Sequence, residues 1–298
     1  MTIDALTAIL LIPAVSAAVL ALLPGYRLAA RLNVTAALLT FLTALSMFVV
    51  EPVSGQYLLV DDLNKVFIVL TTFIGFTAGV FSASYIEHEI AIGRLTPAFL
   101  RFYHAMYQAL MFSMNLALVA NNIGLMWVAV EVATLTTVLM VGIYRTHEAL
   151  EAAWKYFILG SVGIALALFG TILVYMAARP VIGEGTDAMV WTVLVSRAAA
   201  FDPALLNVAF VFLLLGYGTK VGLAPLHAWL PDAHAEREYD DAHVLDRGIG
   251  EHALDVAPPV QHQRCEDHGD QSHDHHQRAR RDRGCIHREQ QLETEQRV

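Results

Sequence analysis

Seven long apolar runs dominate the first 235 residues, at 5–23, 32–50, 66–85, 103–120, 123–144, 153–177 and 205–228. A bilayer's hydrocarbon core is about 30 Å thick, and a helix needs about 20 mostly apolar residues to cross it. Backbone amides find no water at that depth, so such runs must pair their own N–H and C=O groups as helices. Barrel strands are about half as long and alternate apolar with polar residues, which these runs do not. The expected fold is therefore all-α: a polytopic transmembrane helical bundle of about seven helices. Pro13 lies inside the first run and is expected to kink it. Met1-Thr2-Ile3-Asp4 carries no basic side chain, and the run behind it exceeds a signal-peptide core, so this run is expected to be a span.

Composition narrows the function. The chain has 298 residues, 56% hydrophobic and 16% charged, against about 45–50% and about 25% in soluble domains. That disfavours an ordinary soluble enzyme. A net charge of −9 lacks the basic footprint of a nucleic-acid binder. Residues 1–235 contain no cysteine, so they offer no thiolate ligands for an iron–sulfur cluster. They also lack a GxGxxG or Walker motif, and His104 alone among their early-span histidines leaves no pair for haem. No cofactor is expected.

Basic residues set orientation through the loops. Arg27, Arg31, Arg94, Arg101 and Arg145 follow odd-numbered runs, while Lys65, Arg179 and Arg197 lie in opposite loops diluted by acids. The amino terminus is expected outside. Residues 187–206 are too polar to span; Trp191, Val193, Leu194 and Val195 suggest a helix lying on the membrane surface.

Ionisable groups at membrane depth carry the most functional information, since each costs about 2.5–3.5 kcal/mol on insertion scales when central and unpaired. Two stand out: Glu131 in the fifth run and Lys220 in the seventh. Either they form a static ion pair between helices, or they form a protonatable pair on an ion path. The second reading is favoured, because a carboxylate's charge shifts the protonation of a nearby lysine. Gly216, Gly218, Gly222 and Pro225 surround Lys220. They suit a broken helix of the kind found at transport sites, or close helix packing through small residues. Lys155 has Glu151 four residues before it, which fits a helical surface salt bridge or a proton-entry relay. His227 could relay protons or tie down a helix end. His104 is expected at the membrane interface and receives no role.

These residues carry a resemblance. Residues 1–236 resemble the antiporter-like membrane subunits of respiratory complex I and related hydrogenases. The shared marks are Glu131 four residues after Trp127, the string Ala152-Ala153-Trp154-Lys155-Tyr156, and Gly218-Thr219-Lys220 followed by Pro225-Leu226-His227-Ala228-Trp229-Leu230-Pro231-Asp232-Ala233-His234. Ser84-Tyr85-Ile86-Glu87-His88-Glu89, Leu95-Thr96-Pro97 and Asn121-Asn122-Ile123 bring it nearest to the group 4 nickel–iron hydrogenase subunits of the hydrogenase-4 component F type. The resemblance implies about fourteen transmembrane helices with two inverted five-helix repeats forming proton half-channels. It also implies a Glu131 that modulates the charge on Lys220, and a redox partner elsewhere in a complex.

After Ala235-Glu236 the likeness stops. Residues 236–298 hold 9 Arg, no Lys and 15 Asp+Glu, with Cys265, Cys285 and 8 of the 13 His. Sparse apolar residues and dense charge predict a disordered tail over 237–298. A switch inside a family motif reads as out-of-frame translation, a frameshift in a GC-rich gene, which would leave the C-terminal half of the fold missing. The alternative is a metal-binding tail built on Ser272-His273-Asp274-His275-His276, but neither cysteine has a CxxC partner and no metal site is assigned.

Three functions follow. The first is a proton-translocating, non-redox membrane subunit of a hydrogenase-4-like or NADH-quinone oxidoreductase-like complex, multi-pass in the cell inner membrane. Its proton path would run through Glu131, Lys220, Lys155 and His227, and its partners would be other membrane subunits, the hydrogenase or redox arm and the bilayer. The second is a subunit of a multi-subunit sodium/proton antiporter. The third is an inactive fragment.

Overall fold

A computed structural model of the chain describes residues 4–23, 25–52, 54–93, 95, 97–231 and 233. Among the described residues eight α-helices follow one another: α1 (Ala5–Leu22), α2 (Tyr26–Ser46), α3 (Asp62–Ala91), α4 (Pro97–Val119), α5 (Ile123–Val141), α6 (His147–Ile182), α7 (Trp191–Arg197) and α8 (Pro203–Val221). Among the described residues there is no β-strand, only isolated bridges joining Leu58 to Ala120 and Asn122 to Val190. The tail expectation lies outside the described residues.

Helix starts follow local chemistry. Asp61, Asn122, Thr146 and Asp202 each accept a backbone N–H of the first turn of α3, α5, α6 and α8, which satisfies donors that have no partner inside the helix. Pro203 sits in the first turn of α8, where its missing N–H costs nothing. α1 runs on through Pro13.

Among the described residues six helices are long and apolar enough to cross a membrane: α1, α2, α3, α5 with its extension to Tyr144, α6 from Ala149, and α8. The seventh expected run falls in α4, whose 23 residues suffice in length but whose apolarity is diluted by His104, Gln108, Ser113 and Asn115. All four are fully buried. α4 packs between α1 and α5, so its polar side chains face protein. His104 is thus buried within the bundle; hydropathy alone does not say which face a helix turns to its neighbours.

The chain is inside-out relative to a soluble protein. Asn33, Thr40, Thr72, His104, Gln108 and Asn115 are buried to within about 1% exposure, whereas Phe81 is 77% and Phe210 63% exposed. That arrangement suits lipid as the solvent, where apolar surface costs nothing outside and polar groups find partners only inside. Buried threonines Thr40, Thr72, Thr134 and Thr171 return their hydroxyls to the carbonyl four residues back, at 2.7–2.9 Å.

Between α6 and α8, the expected surface helix becomes the short α7. Its Leu194 is buried with Ile123, Ala177, Ala178, Ala188 and Phe201, while Trp191 and Val195 stay exposed. Asn121 fastens this end. Its N–H donates to the Tyr57 carbonyl (2.8 Å), its carbonyl accepts from Trp191 N–H (2.8 Å), and its side-chain oxygen accepts from Thr192 N–H (3.2 Å).

Candidate functional site

α8 stops earlier than its apolar run. Lys220 occupies the last turn, and Gly222 (φ 78°) ends the helix in the left-handed region. Leu223 N–H reaches the Gly218 carbonyl (2.8 Å) and Gly222 N–H the Thr219 carbonyl (3.2 Å), the two bonds of a Schellman cap. The run at 205–228 therefore corrects to a helix ending at Val221, because only a glycine adopts that φ without Cβ strain and Pro225 follows three residues later. The glycines divide between the two roles expected of them. A Cβ on Gly216 would lie 2.5 Å from the Ala167 nitrogen and 2.6 Å from the Gly163 carbonyl oxygen, so Gly216 serves close packing. Gly222 serves the break.

The chain then turns back and lays Trp229 over the site. Trp229 is buried; its ring stacks on Tyr156 with centroids 4.6 Å apart, and its Nε1–H donates to the Thr219 carbonyl at 2.9 Å. Tyr156, on α6, is 4% exposed. Lys220 Nζ donates to the Tyr156 hydroxyl at 2.6 Å and lies 5.0 Å from the centre of its ring. The same hydroxyl bonds Thr137 Oγ1 on α5 at 2.7 Å. Three helices thus converge on one hydrogen-bonded line, Lys220–Tyr156–Thr137. The ammonium also gains from the partial negative charge at the carboxyl end of α8 and from the aromatic face.

Glu131 lies six residues before Thr137 on α5, about 9 Å along the axis. It sits within electrostatic reach of Lys220, yet its Oε2 is buried without a hydrogen-bond partner. Among the described residues no ion pair joins them; Lys220 donates to Tyr156 instead. One turn before Glu131, Trp127 Nε1–H donates to the Ile164 carbonyl at 2.8 Å and pins α5 to α6.

Lys155 and His227 lie apart from this line. Lys155 makes an ion pair with Glu151 at 2.9 Å, both side chains about half exposed. His227 is exposed, and its carbonyl accepts from Leu230 N–H at 2.9 Å, within the turn that returns Trp229. Tyr156, Thr137 and Trp229 were not singled out as site residues. The signal was present for two of them, since Tyr156 and Trp229 stand inside the strings that carry the family resemblance. Among the described residues no cluster of His, Cys, Asp or Glu could hold a metal.

The arrangement can hold a charged amine at membrane depth, hand its proton to neighbouring hydroxyls, and couple its charge to a carboxyl group. Residues 120–238, which contain the whole of it, match the family described as NADH:quinone oxidoreductase/Mrp antiporter, TM. The chain is 61% identical over 229 residues to the hydrogenase-4 component F homolog of Methylacidiphilum infernorum, covering 77% of this chain and 48% of that protein. It thus spans about half the length of this curated relative. It is similar to a chain of respiratory complex I from Thermus thermophilus, solved with bound aureothin (26% identity, TM-score 0.59, 76% of this chain and 47% of that one). Its fold is also that of a chain of the membrane-bound sulfane sulfur reductase, an archaeal respiratory membrane complex (23% identity, TM-score 0.65, 76% and 47% covered). The chain is accordingly a multi-pass membrane protein that carries, over residues 120–238, the domain of the NADH:quinone oxidoreductase/Mrp antiporter family and is similar to antiporter-like membrane subunits of complex I and hydrogenase-4 type.

Proposed function

We propose that the chain is a proton-translocating, non-redox subunit of a hydrogenase-4-like or NADH-quinone oxidoreductase-like complex of the cell inner membrane, working beside other membrane subunits and a redox arm. The observation that carries this reading is the line Lys220–Tyr156–Thr137 closed under Trp229, with Glu131 in electrostatic reach. An ammonium donates a proton along its hydrogen bond and a hydroxyl both accepts and donates, so the line is a path with Lys220 as its loading site. Glu131 is the control group: as an anion it attracts the charge on Lys220, and once protonated it releases that attraction. The unpartnered Oε2 supports this, because a purely structural carboxylate is normally hydrogen-bonded where it is buried. Lys155 and His227, at exposed positions apart from the line, are proposed as its exchange points with water.

The test uses the assembled complex in proteoliposomes, with proton uptake followed by a pH-sensitive dye during redox turnover. Glu131→Gln and Lys220→Ala are each expected to impair pumping while the complex stays assembled. Normal pumping by both variants would overturn the reading. Proton movement driven by a sodium gradient, with no redox turnover, would favour the reading as a subunit of a multi-subunit sodium/proton antiporter; the matched family's description also names an antiporter.

A further inference from the structure

Away from Lys220, the start of α2 and the end of α3 form a groove of about 640 Å³. Arg27, Arg31 and Glu87 line it together with Ala30, Val34 and Ala83. A second cavity of about 540 Å³ shares Arg27 and Glu87 and reaches Gly25 and Ala91, where the two helices meet their ends. Open space therefore lies on both sides of the charged residues. The Tyr26 hydroxyl donates to the Ala83 carbonyl and pins α2 to α3 at the groove.

The lining changes character with depth. Arg27 and Arg31 stand four residues apart, on one helix face, within the first two turns of α2. Cα–Cβ bonds tilt toward a helix's N-terminus, so both side chains start out toward the membrane boundary. Ala83 lies about one turn deeper than Glu87, and Val34 about two turns deeper than Arg27. The groove is thus charged at the boundary and apolar toward the bilayer centre, which is the order of a phospholipid.

Charge selects among lipids. Arg27 Nε lies 3.7 Å from Glu87 Oε1, with the side chains 81% and 59% exposed, and a surface pair of that kind holds its partners only weakly. Arg31 is exposed and makes no ion pair among the described residues. Two arginines against one carboxylate leave the mouth with one positive charge. Gly25 gives α2 no side-chain cap, and the first turn holds no acid, so neither offsets the positive end of the helix. By the basic loops this boundary is expected on the cytoplasmic side, where the leaflet is anionic and basic pockets between spans bind anionic headgroups.

We propose that the α2–α3 groove binds an anionic phospholipid, its phosphate on Arg27 and Arg31 and an acyl chain along Ala30, Val34 and Ala83. Glu87 opposes the phosphate and keeps the site from being saturated by charge alone.

The test offers the delipidated full chain in detergent equal amounts of phosphatidylglycerol and phosphatidylcholine with matched acyl chains, and reads bound lipid as adduct mass by native mass spectrometry. The phosphatidylglycerol adduct is expected to dominate. Arg27→Gln and Arg31→Gln are each expected to weaken it about fivefold, the weight of one basic side chain near an anionic membrane surface. Glu87→Gln is expected to strengthen it. Arg197→Gln on α7 makes the same charge change outside the groove and should leave the adduct unchanged. All four side chains are exposed, so the substitutions leave the packing of the bundle intact. Equal binding of the two lipids, an adduct that survives both groove substitutions, or an equal loss in Arg197→Gln would overturn the proposal. Displacement by excess inorganic phosphate would show a bare anion site, and a dimer of the chain lost with the same substitutions would show a protein interface; either result overturns the lipid assignment.

Discussion

Gly216→Ala is the sharpest probe of how the site is held, because it acts where α6 and α8 come closest. The new Cβ would lie 2.5 Å from the Ala167 nitrogen, 2.6 Å from its Cβ and 2.6 Å from the Gly163 carbonyl oxygen, where ordinary contacts begin at 3.4 Å. The shortfall is therefore nearly 1 Å, and two of the three obstacles are backbone, which cannot rotate away. The helices must part. Overpacking of this kind costs about 1–3 kcal/mol, and a gap of 0.5–1 Å along the rest of the contact forfeits about a quarter to a half of each dispersion well. Alanine returns roughly 0.5–1 kcal/mol through helix propensity. The expected net loss is about 1–2 kcal/mol. Gly218→Ala, two residues away, is the control: its Cβ would meet Leu223 at 3.5 and 3.6 Å, ordinary contact, so it should be neutral or slightly stabilising. The assay is unfolding of the detergent-solubilised chain with rising SDS fraction, followed by far-UV circular dichroism. A Gly216→Ala chain as stable as wild type, or a Gly218→Ala chain that is the worse of the two, would refute the packing argument.

Three further outcomes are expected. Tyr156→Phe removes the hydroxyl shared by Lys220 and Thr137 while keeping the ring under Trp229; in the assembled complex it should slow proton uptake with little change in subunit content, and full-speed uptake would remove Tyr156 from the path. Asn122→Ala deletes the cap that accepts from Gly124 and Leu125 N–H at 3.0 and 3.1 Å and should lower stability by about 0.5–2 kcal/mol, read by the same SDS titration. Topology reporters at Gly55 and at Gly185 should report one side of the membrane, since Asn121 ties residues 55–57 to residues 191–192, and reporters at Gly25 and Arg145 should report the other; agreement of all four would refute the crossing order.

Lipid thickness and backbone hydrogen bonding made the helices legible, because an apolar run of about twenty residues has one low-energy answer in a bilayer. Gly222 with Pro225 marked the break beside Lys220, whereas the caps Asp61, Asn122, Thr146 and Asp202 emerged only with the helix starts. Glu131 and Lys220 stood out for the same reason, as charges in runs that otherwise exclude them. What the chain alone did not reveal was who meets whom. Lys220 bonds Tyr156 rather than Glu131 because the small residues Gly163, Ala167 and Gly216 let α6 and α8 approach closely, and a crossing point depends on two helices at once. The buried face of α4 was hidden for a related reason. Hydropathy averages a helix around its circumference, whereas burial depends on which face the neighbouring helices cover, and for α4 they cover the polar one.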